Sequence, residues 1–380
     1  MMEIYFDNAA TTPLRKEVIE EINSCLKENF GNPSSSHSFG RLAKAKLELA
    51  RNSIASHFNA LPGEIVFTSG GTESDNMLIN CAVNDLGVST IISSKIEHHA
   101  VLHTIENLES KSVNVRYVRT TSDGKIDYKH LEELLIEDDT KKLVTLMYVN
   151  NEIGTILDLE LVGNLCSEHN ALFHTDAVQG VAHFEINLKK LKIDFLSAAA
   201  HKFHGPKGVG FSYVKNKSGI KSFIMGGSQE RGLRAGTEAL PNILGMEKAL
   251  SISYNNLDSE RQYIQSIKDY FISSIKKIFP KVVFNGCCSD SKNSTYTLLN
   301  VALPITNEKS ALLDFQLDLK GVACSKGSAC QSGVNTGSHV LKEVRKNELV
   351  FWPSLRFSFS CFNTKKEVDY LMNILKGFKS

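Results

Sequence analysis

Lys202 follows His201 at the end of an apolar run, Asp176 stands upstream, and Cys330 closes the small-residue segment Gly327-Ser328-Ala329. A lysine at a partly desolvated strand end has a depressed pKa and becomes a nucleophile toward aldehydes. A carboxylate at a buried strand end suits a protonated ring nitrogen. Most free cysteines are buried small hydrophobes, but one in a polar, glycine-flanked loop is exposed and available as a thiolate. Each residue also has an ordinary alternative. Lysines are mostly exposed, Asp176 could cap a helix, and Lys207 in the following glycine-proline turn is a rival amine. The set gains meaning from where its members fall.

From residue 64 to 214, short β-rich runs alternate with amphipathic stretches, the runs lying at 64–68, 90–94, 113–118, 143–149, 171–175, 194–198 and 209–214. This alternation predicts an α/β fold with a mostly parallel sheet covered on both faces. Ser69-Gly70-Gly71-Thr72 follows the first run, Glu97-His98-His99 the second and Asn150-Asn151-Glu152 the fourth. Asp176 and Gln179 follow the fifth, and His201-Lys202 the sixth. The carboxyl ends of strands are where open α/β sheets bind ligands. The 69–72 turn leads into a helix opening near Thr72, whose free N–H groups and dipole make a phosphate seat. A plain N-cap by Ser69 or Thr72 would use the same residues. His98 could stack on a ring and move protons near neutrality. Arg356, on an apolar strand, could clamp a carboxylate or close a structural salt bridge. A Schiff-base lysine, a ring-nitrogen carboxylate, a phosphate seat and a thiol are what a pyridoxal 5'-phosphate (PLP) enzyme needs to take sulfur off an amino acid.

The rest of the chain must carry this site. With 380 residues, 42% hydrophobic and 22% charged, it has room for two domains and a real core. A net charge of +1 gives no pull toward nucleic acid or anionic membrane. No apolar run reaches the length of a membrane span, and the first residues lack a secretory signal pattern. Eight scattered cysteines without a C-x-x-C pair read as reduced thiols in the cytoplasm. Cys324, Cys330 and His339 match no familiar zinc spacing, so no metal is expected. Beyond 214, a helical stretch over 240–279 ends at Pro280. β-like runs at 297–303 and 355–359 and a helix from about Thr364 then predict a smaller α+β domain. The division expected is 13–260 for the large domain and 1–12 with 261–380 for the small one.

Several ordered motifs extend the pattern: Tyr5-Phe6-Asp7-Asn8-Ala9-Ala10-Thr11-Thr12-Pro13, Gly31-Asn32-Pro33-Ser34-Ser35, Ser69 to Asn76, and Val149-Asn150-Asn151-Glu152-Ile153-Gly154. They continue through Asp176-Ala177-Val178-Gln179, Ala200-His201-Lys202, Arg234-Ala235-Gly236-Thr237, Gly327-Ser328-Ala329-Cys330 and Arg356-Phe357-Ser358. On these residues the chain resembles, from end to end, the PLP-dependent cysteine desulfurases of the NifS/IscS type within the class V aminotransferase group. The resemblance implies a fold-type-I transferase with a seven-stranded large-domain sheet, acting as a homodimer with its site at the subunit interface. It implies that Lys202 binds PLP covalently, Asp176 pairs with the ring nitrogen, Gln179 bonds the ring hydroxyl, and His98 stacks and acts as acid/base. Gly71, Thr72, His201 and, from a second subunit, Thr237 would hold the phosphate. Asn32, Asn151 and Arg356 would position the substrate carboxylate or the ring.

Cys330 would then attack the sulfur of L-cysteine, leaving L-alanine and a persulfide. That sulfur would pass to an acceptor protein for iron–sulfur cluster, tRNA thiolation or thiocofactor synthesis, with no direct nucleic-acid or membrane partner. Two departures stand out: Ala199 replaces a phosphate-binding serine, and Cys361 replaces an arginine. Cys324 could relay sulfur. The rivals are a selenocysteine lyase, another class V enzyme such as an aminotransferase, and a non-catalytic PLP-fold scaffold. A transaminase has no need of Cys330, and a scaffold has no need of Lys202, Asp176, His98 and Cys330 together.

Overall fold

A computed structural model describes residues 2–305, 313–326, 337–345 and 352–378. The chain opens with β1 (Ile4–Tyr5), α1 (Lys16–Glu28) and α2 (Ser38–His57). The alternating region follows as β2 (Ile65–Thr68), α3 (Gly71–Leu86), β3 (Thr90–Ser94), α4 (His99–Glu109), β4 (Asn114–Val118) and α5 (Tyr128–Ile136). It continues with β5 (Lys142–Thr145), α6 (Leu159–Glu168), β6 (Leu172–Asp176), β7 (Phe195–Ala199) and β8 (Gly210–Val214). Strands β2 to β8 form one seven-stranded sheet in the order β2-β8-β7-β6-β5-β3-β4. The pairings from β7 to β4 are parallel, while β8 runs antiparallel to both neighbours. This is the mostly parallel α/β sheet expected from the sequence.

Local signals set the elements. The central strands β5 and β7 are buried along their whole length, which is why they read as near-continuous apolar runs. Asp127 and Asp158 cap α5 and α6 by accepting the His130 and Leu161 N–H groups. Gly87 ends α3 in the left-handed region at φ 73°. The apolar run 143–149 is longer than β5, and a side chain explains the difference. Past Thr145, the Leu146 and Tyr148 N–H groups still donate to His174 O and Asp176 O on β6. On the other edge β3 has ended, and the Met147 N–H turns to Glu97 Oε2 at 2.8 Å.

The remaining described elements are α7 (Leu240–Asn255), α8 (Leu257–Ile278), β9 (Val283–Phe284), β10 (Leu298–Ala302), α9 (Leu313–Asp318), β11 (Val322–Ala323), β12 (Ser325–Lys326), α10 (His339–Val344), β13 (Ser354–Ser358) and α11 (Lys365–Lys376). The single helical stretch expected over 240–279 breaks at Asn256. Helix α7 packs on α1 and α2, whereas α8 packs on α11. Strands β12-β13-β10-β9 form a second sheet, and β1 pairs in parallel with β11. A separate apolar cluster gathers Ile4, Phe6, Ile267, Phe271, Phe357 and Leu371. Phe6 meets Phe359 edge-on at 5.5 Å. Among the described residues no helix is long and apolar enough to cross a membrane.

Candidate active site

Strand β7 ends in a single 3-10 turn, Ala200–Lys202, that carries Lys202 out of the sheet. Its Nζ donates to Ala9 O at 2.7 Å and Ala10 O at 2.8 Å. Gln179 Nε2 donates to the same Ala9 O at 2.9 Å, and His201 Nδ1 lies 3.2 Å from Thr11 Oγ1. The 9–11 segment therefore ties Lys202, Gln179 and His201 into one wall, a role the motif alone did not reveal. The rival amine Lys207 is exposed, whereas Lys202 is half-buried.

His98 begins α4, and its Nδ1 accepts the Ala100 N–H at 3.1 Å. Burial, and then the positive charge of Lys202, push its pKa down to about 4. It is therefore a neutral imidazole at working pH, with the proton on Nε2. Asp176 ends β6, and its Oδ1 accepts the Val178 N–H at 2.9 Å. Burial raises this carboxyl to about 6, while the Val178 N–H and Lys202 pull it down. It remains ionised at neutral pH, as a partner for a cation must be.

The turn expected to seat a phosphate lies where α3 approaches the end of β6. Gly70, at φ 147°, adopts a backbone that side chains disfavour. A Cβ on Gly71 would lie 2.7 Å from Val178 Cγ2 and 3.8 Å from Ala199 Cβ. Ala199 thus sits under this helix start. Neither Ser69 nor Thr72 caps the helix. The Ser69 N–H donates instead to Glu73 Oε2, and Thr72 is exposed. Glu73 pairs with Arg234 at 2.7 Å, bringing the 234–237 segment to the same helix start.

Arg356 on β13 is both a salt bridge and a positioned cation. Its Nη2 contacts Asp7 Oδ1 at 2.9 Å and Ser325 Oγ at 3.1 Å, and its Nη1 donates to Asn151 O at 2.9 Å. Asp7 had no assigned role from sequence. Asn32 and Thr237 are exposed. The Asn32 side chain accepts from its own loop at the Ser34 N–H, and neither residue joins this hydrogen-bonded set among the described residues. Cys330 lies outside the described residues. The chain before its segment is anchored by Ser325 Oγ on Asp7 Oδ1 at 2.6 Å. The chain after it is anchored by Ser338 Oγ on Glu152 Oε2 at 2.5 Å and by His339 Nε2 at 2.9 Å from Glu97 O. Burial raises the Cys324 thiol to about 12, which keeps it protonated.

The family model described as "Aminotransferase class-V" matches residues 4–371. The chain is 41% identical over 376 residues to the cysteine desulfurase IscS of Dictyoglomus turgidum, covering 98% of this chain and 94% of that one. A solved NifS-like protein aligns with a TM-score of 0.90 and 34% identity, covering 99% of each chain. A solved SspA in complex with cysteine aligns at 0.82 with 32% identity, covering 96% of this chain and 100% of that one. The chain belongs to the class-V aminotransferase family. This family is PLP-dependent, and the residues present fit PLP. The 70–71 turn needs glycine on both counts, Gly70 for its φ of 147° and Gly71 for its closeness to Val178, and the helix start it opens favours a phosphate. Asp176 would supply the anion for a ring nitrogen, and Lys202 the amine.

Proposed function

We propose that this chain is a cysteine desulfurase: it takes L-cysteine, releases L-alanine and holds the sulfur as a persulfide on Cys330. The observation that carries this reading is the meeting of Lys202, ionised Asp176 and neutral His98 at the carboxyl ends of β7, β6 and β3, with the Lys202 charge acting on both of the others. Full-length similarity to proteins named cysteine desulfurase, and to one solved with cysteine, supports it.

Bound at this site, PLP supplies the electron sink that acidifies the substrate α-proton. Lys202 would anchor it and exchange a proton with the substrate carbon, and Asp176 would keep the ring nitrogen charged. Gln179 would bond the ring hydroxyl, and His98, with its proton on Nε2, would act as the acid/base beside the ring. Gly71, Thr72, His201 and the partner subunit's Thr237 would hold the phosphate. Arg356, fixed by Asp7, receives the substrate carboxylate together with Asn32 and Asn151. The Cys330 thiolate attacks the substrate sulfur, the carbon–sulfur bond breaks, and the carbon takes a proton. L-Cysteine plus one enzyme thiol thus gives L-alanine plus one enzyme persulfide, with no outside oxidant.

The working unit is a homodimer in the cytoplasm that hands sulfur to an acceptor protein. Residues 13–260 form the cofactor domain, and 1–12 with 261–380 form the smaller one. The separate apolar cluster that takes in Ile4 and Phe6 supports this division. Intact-mass measurement after brief exposure to L-cysteine, with peptide mapping, tests the reading. One added sulfur on the Cys330 peptide, absent in Cys330→Ser, is expected. Bound PLP with no added sulfur would overturn it.

A further inference from the structure

Helix α3 presses an acidic side chain into the sheet. Asp75 is 1% exposed and shares the buried face of α3 with Leu78, Ile79 and Ala82. Opposite it the sheet presents polar groups in place of apolar ones: Thr145 on β5, His174 on β6 and Ser197 on β7, all fully buried. His174 Nδ1 lies 2.8 Å from Thr145 Oγ1, and its Nε2 lies 3.1 Å from Ser197 Oγ. Ser197 pairs across the strands with Asp176. His174 and Asp176, two apart on β6, point to the same face. This polar layer therefore ends at the carboxylate assigned to the ring nitrogen.

Asp75 Oδ1 lies 3.5 Å from His174 Nε2 and has no hydrogen-bond partner among the described residues. An ionised carboxylate left so is costly, and a proton removes the cost. The titratable groups facing Asp75 are His174 and Asp176 from β6 and Glu97 from the β3–α4 connection. Burial first, then the charge of Asp176, raise Asp75 well above the carboxylate range, and a hydrogen bond from the Ser197 side chain to the carboxyl offsets only part of this. Burial lowers His174 to about 3. Both partners are neutral.

We propose that Asp75, as a neutral acid lodged against His174 and Ser197, is a positioning residue that leaves Asp176 the single carboxylate anion beneath the cofactor ring. This rests on the desulfurase site described above. A second anion there would repel Asp176 and compete for the ring proton. A neutral acid keeps α3 seated on the strand end and does neither.

The holoenzyme provides the test, in wild type, Asp75→Asn, Asp75→Ala and Asp176→Asn. The readouts are PLP retention on dialysis and the visible band of bound PLP from neutral to alkaline pH. Asparagine copies the neutral acid, so Asp75→Asn should retain PLP within about twofold of wild type. It should also lose an alkaline step that wild type shows as Asp75 ionises. Asp75→Ala should retain PLP at least about tenfold less well. Asp75→Asn as damaging as Asp176→Asn, or an alkaline titration identical to wild type, would overturn the proposal. An unchanged band and retention in Asp176→Asn would instead remove the assignment of Asp176, and this proposal with it. If Asp75→Asn does not fold, infrared spectra serve. The carbonyl band of a protonated carboxyl should survive at neutral pH in Glu97→Gln, and its complete loss there would refute a neutral Asp75.

Discussion

Glu97 accepts from Ser94 Oγ at 2.5 Å and from the Met147 N–H at 2.8 Å, inside a fully buried corner. Burial outweighs both bonds and raises its pKa from 4.5 to about 8. Keeping it protonated at pH 7 costs about 3 kcal/mol relative to an unfolded chain that would ionise it. Because the folded value is raised, its contribution to stability is complete below pH 4.5 and is lost as pH climbs through about 8. Glu97→Gln removes this penalty: the amide NH2 donates to Ser94 Oγ while its oxygen accepts the Met147 N–H. Melting curves of wild type and Glu97→Gln should lie close at pH 5 and separate by pH 9, the variant being more stable. Equal spacing at both pH values would mean that Glu97 is ionised in the fold. Residues such as Lys202 and Asp176 were legible in the sequence because each interrupts an apolar run at a strand end. Asp7, Asp75 and Glu97 were not, since a buried acid reads like a solvated one. For Asp75 the usable signal was its spacing on the apolar face of α3.

At the scale of elements, the turn leading to the 234–237 segment is held in place under strain. Glu230 and Arg231 adopt left-handed φ values of 46° and 57°, each costing about 1–3 kcal/mol. Arg51 on α2 holds the turn with a two-pronged pair to Glu230 at 2.6 and 2.8 Å. The guanidinium also donates to Ile65 O and lies over Phe67, while Glu230 accepts the Phe67 N–H. Both side chains are 2% exposed, so loss of one leaves a buried, uncompensated charge. Arg51→Met should lower unfolding stability by about 3–5 kcal/mol, with Glu230→Gln restoring part of it in the double variant. Denaturant titrations read both effects, and a loss under about 1 kcal/mol would make the pair ornamental. No sequence pattern linked Arg51 to Glu230, which are distant along the chain and joined only by the fold. The break at Asn256 was hidden for a related reason. Helices α7 and α8 are both helix-forming, and only their docking to different neighbours shows that they cannot share an axis.

For the whole molecule, the order of strands and helices was readable because both periodicities persist over long stretches. The two-residue strands β1, β9, β11 and β12 were not, being too short to carry a pattern. Two of them, β1 and β11, join distant ends of the chain, Ile4 pairing with Val322. What the single chain leaves uncovered is equally informative. Ile19 and Leu26 on α1, and Phe39, Leu42 and Leu49 on α2, are 45–67% exposed, and Phe30 between the helices is 73% exposed. Phe30 and Phe39 lie against each other as a tilted ring pair, centroids 5.3 Å apart. Soluble monomers rarely leave contiguous apolar surface of this kind open, and a two-fold dimer covers such a patch with its own copy. Light scattering should therefore give twice the chain mass for wild type and a single chain mass for Phe30→Glu/Phe39→Glu. If the partner's Thr237 completes the phosphate seat, the monomeric variant should also lose PLP on dialysis while keeping the far-ultraviolet signature of its fold. A monomer that kept PLP as firmly as wild type would show that each chain builds its site alone, and Thr237 would then have no place in it.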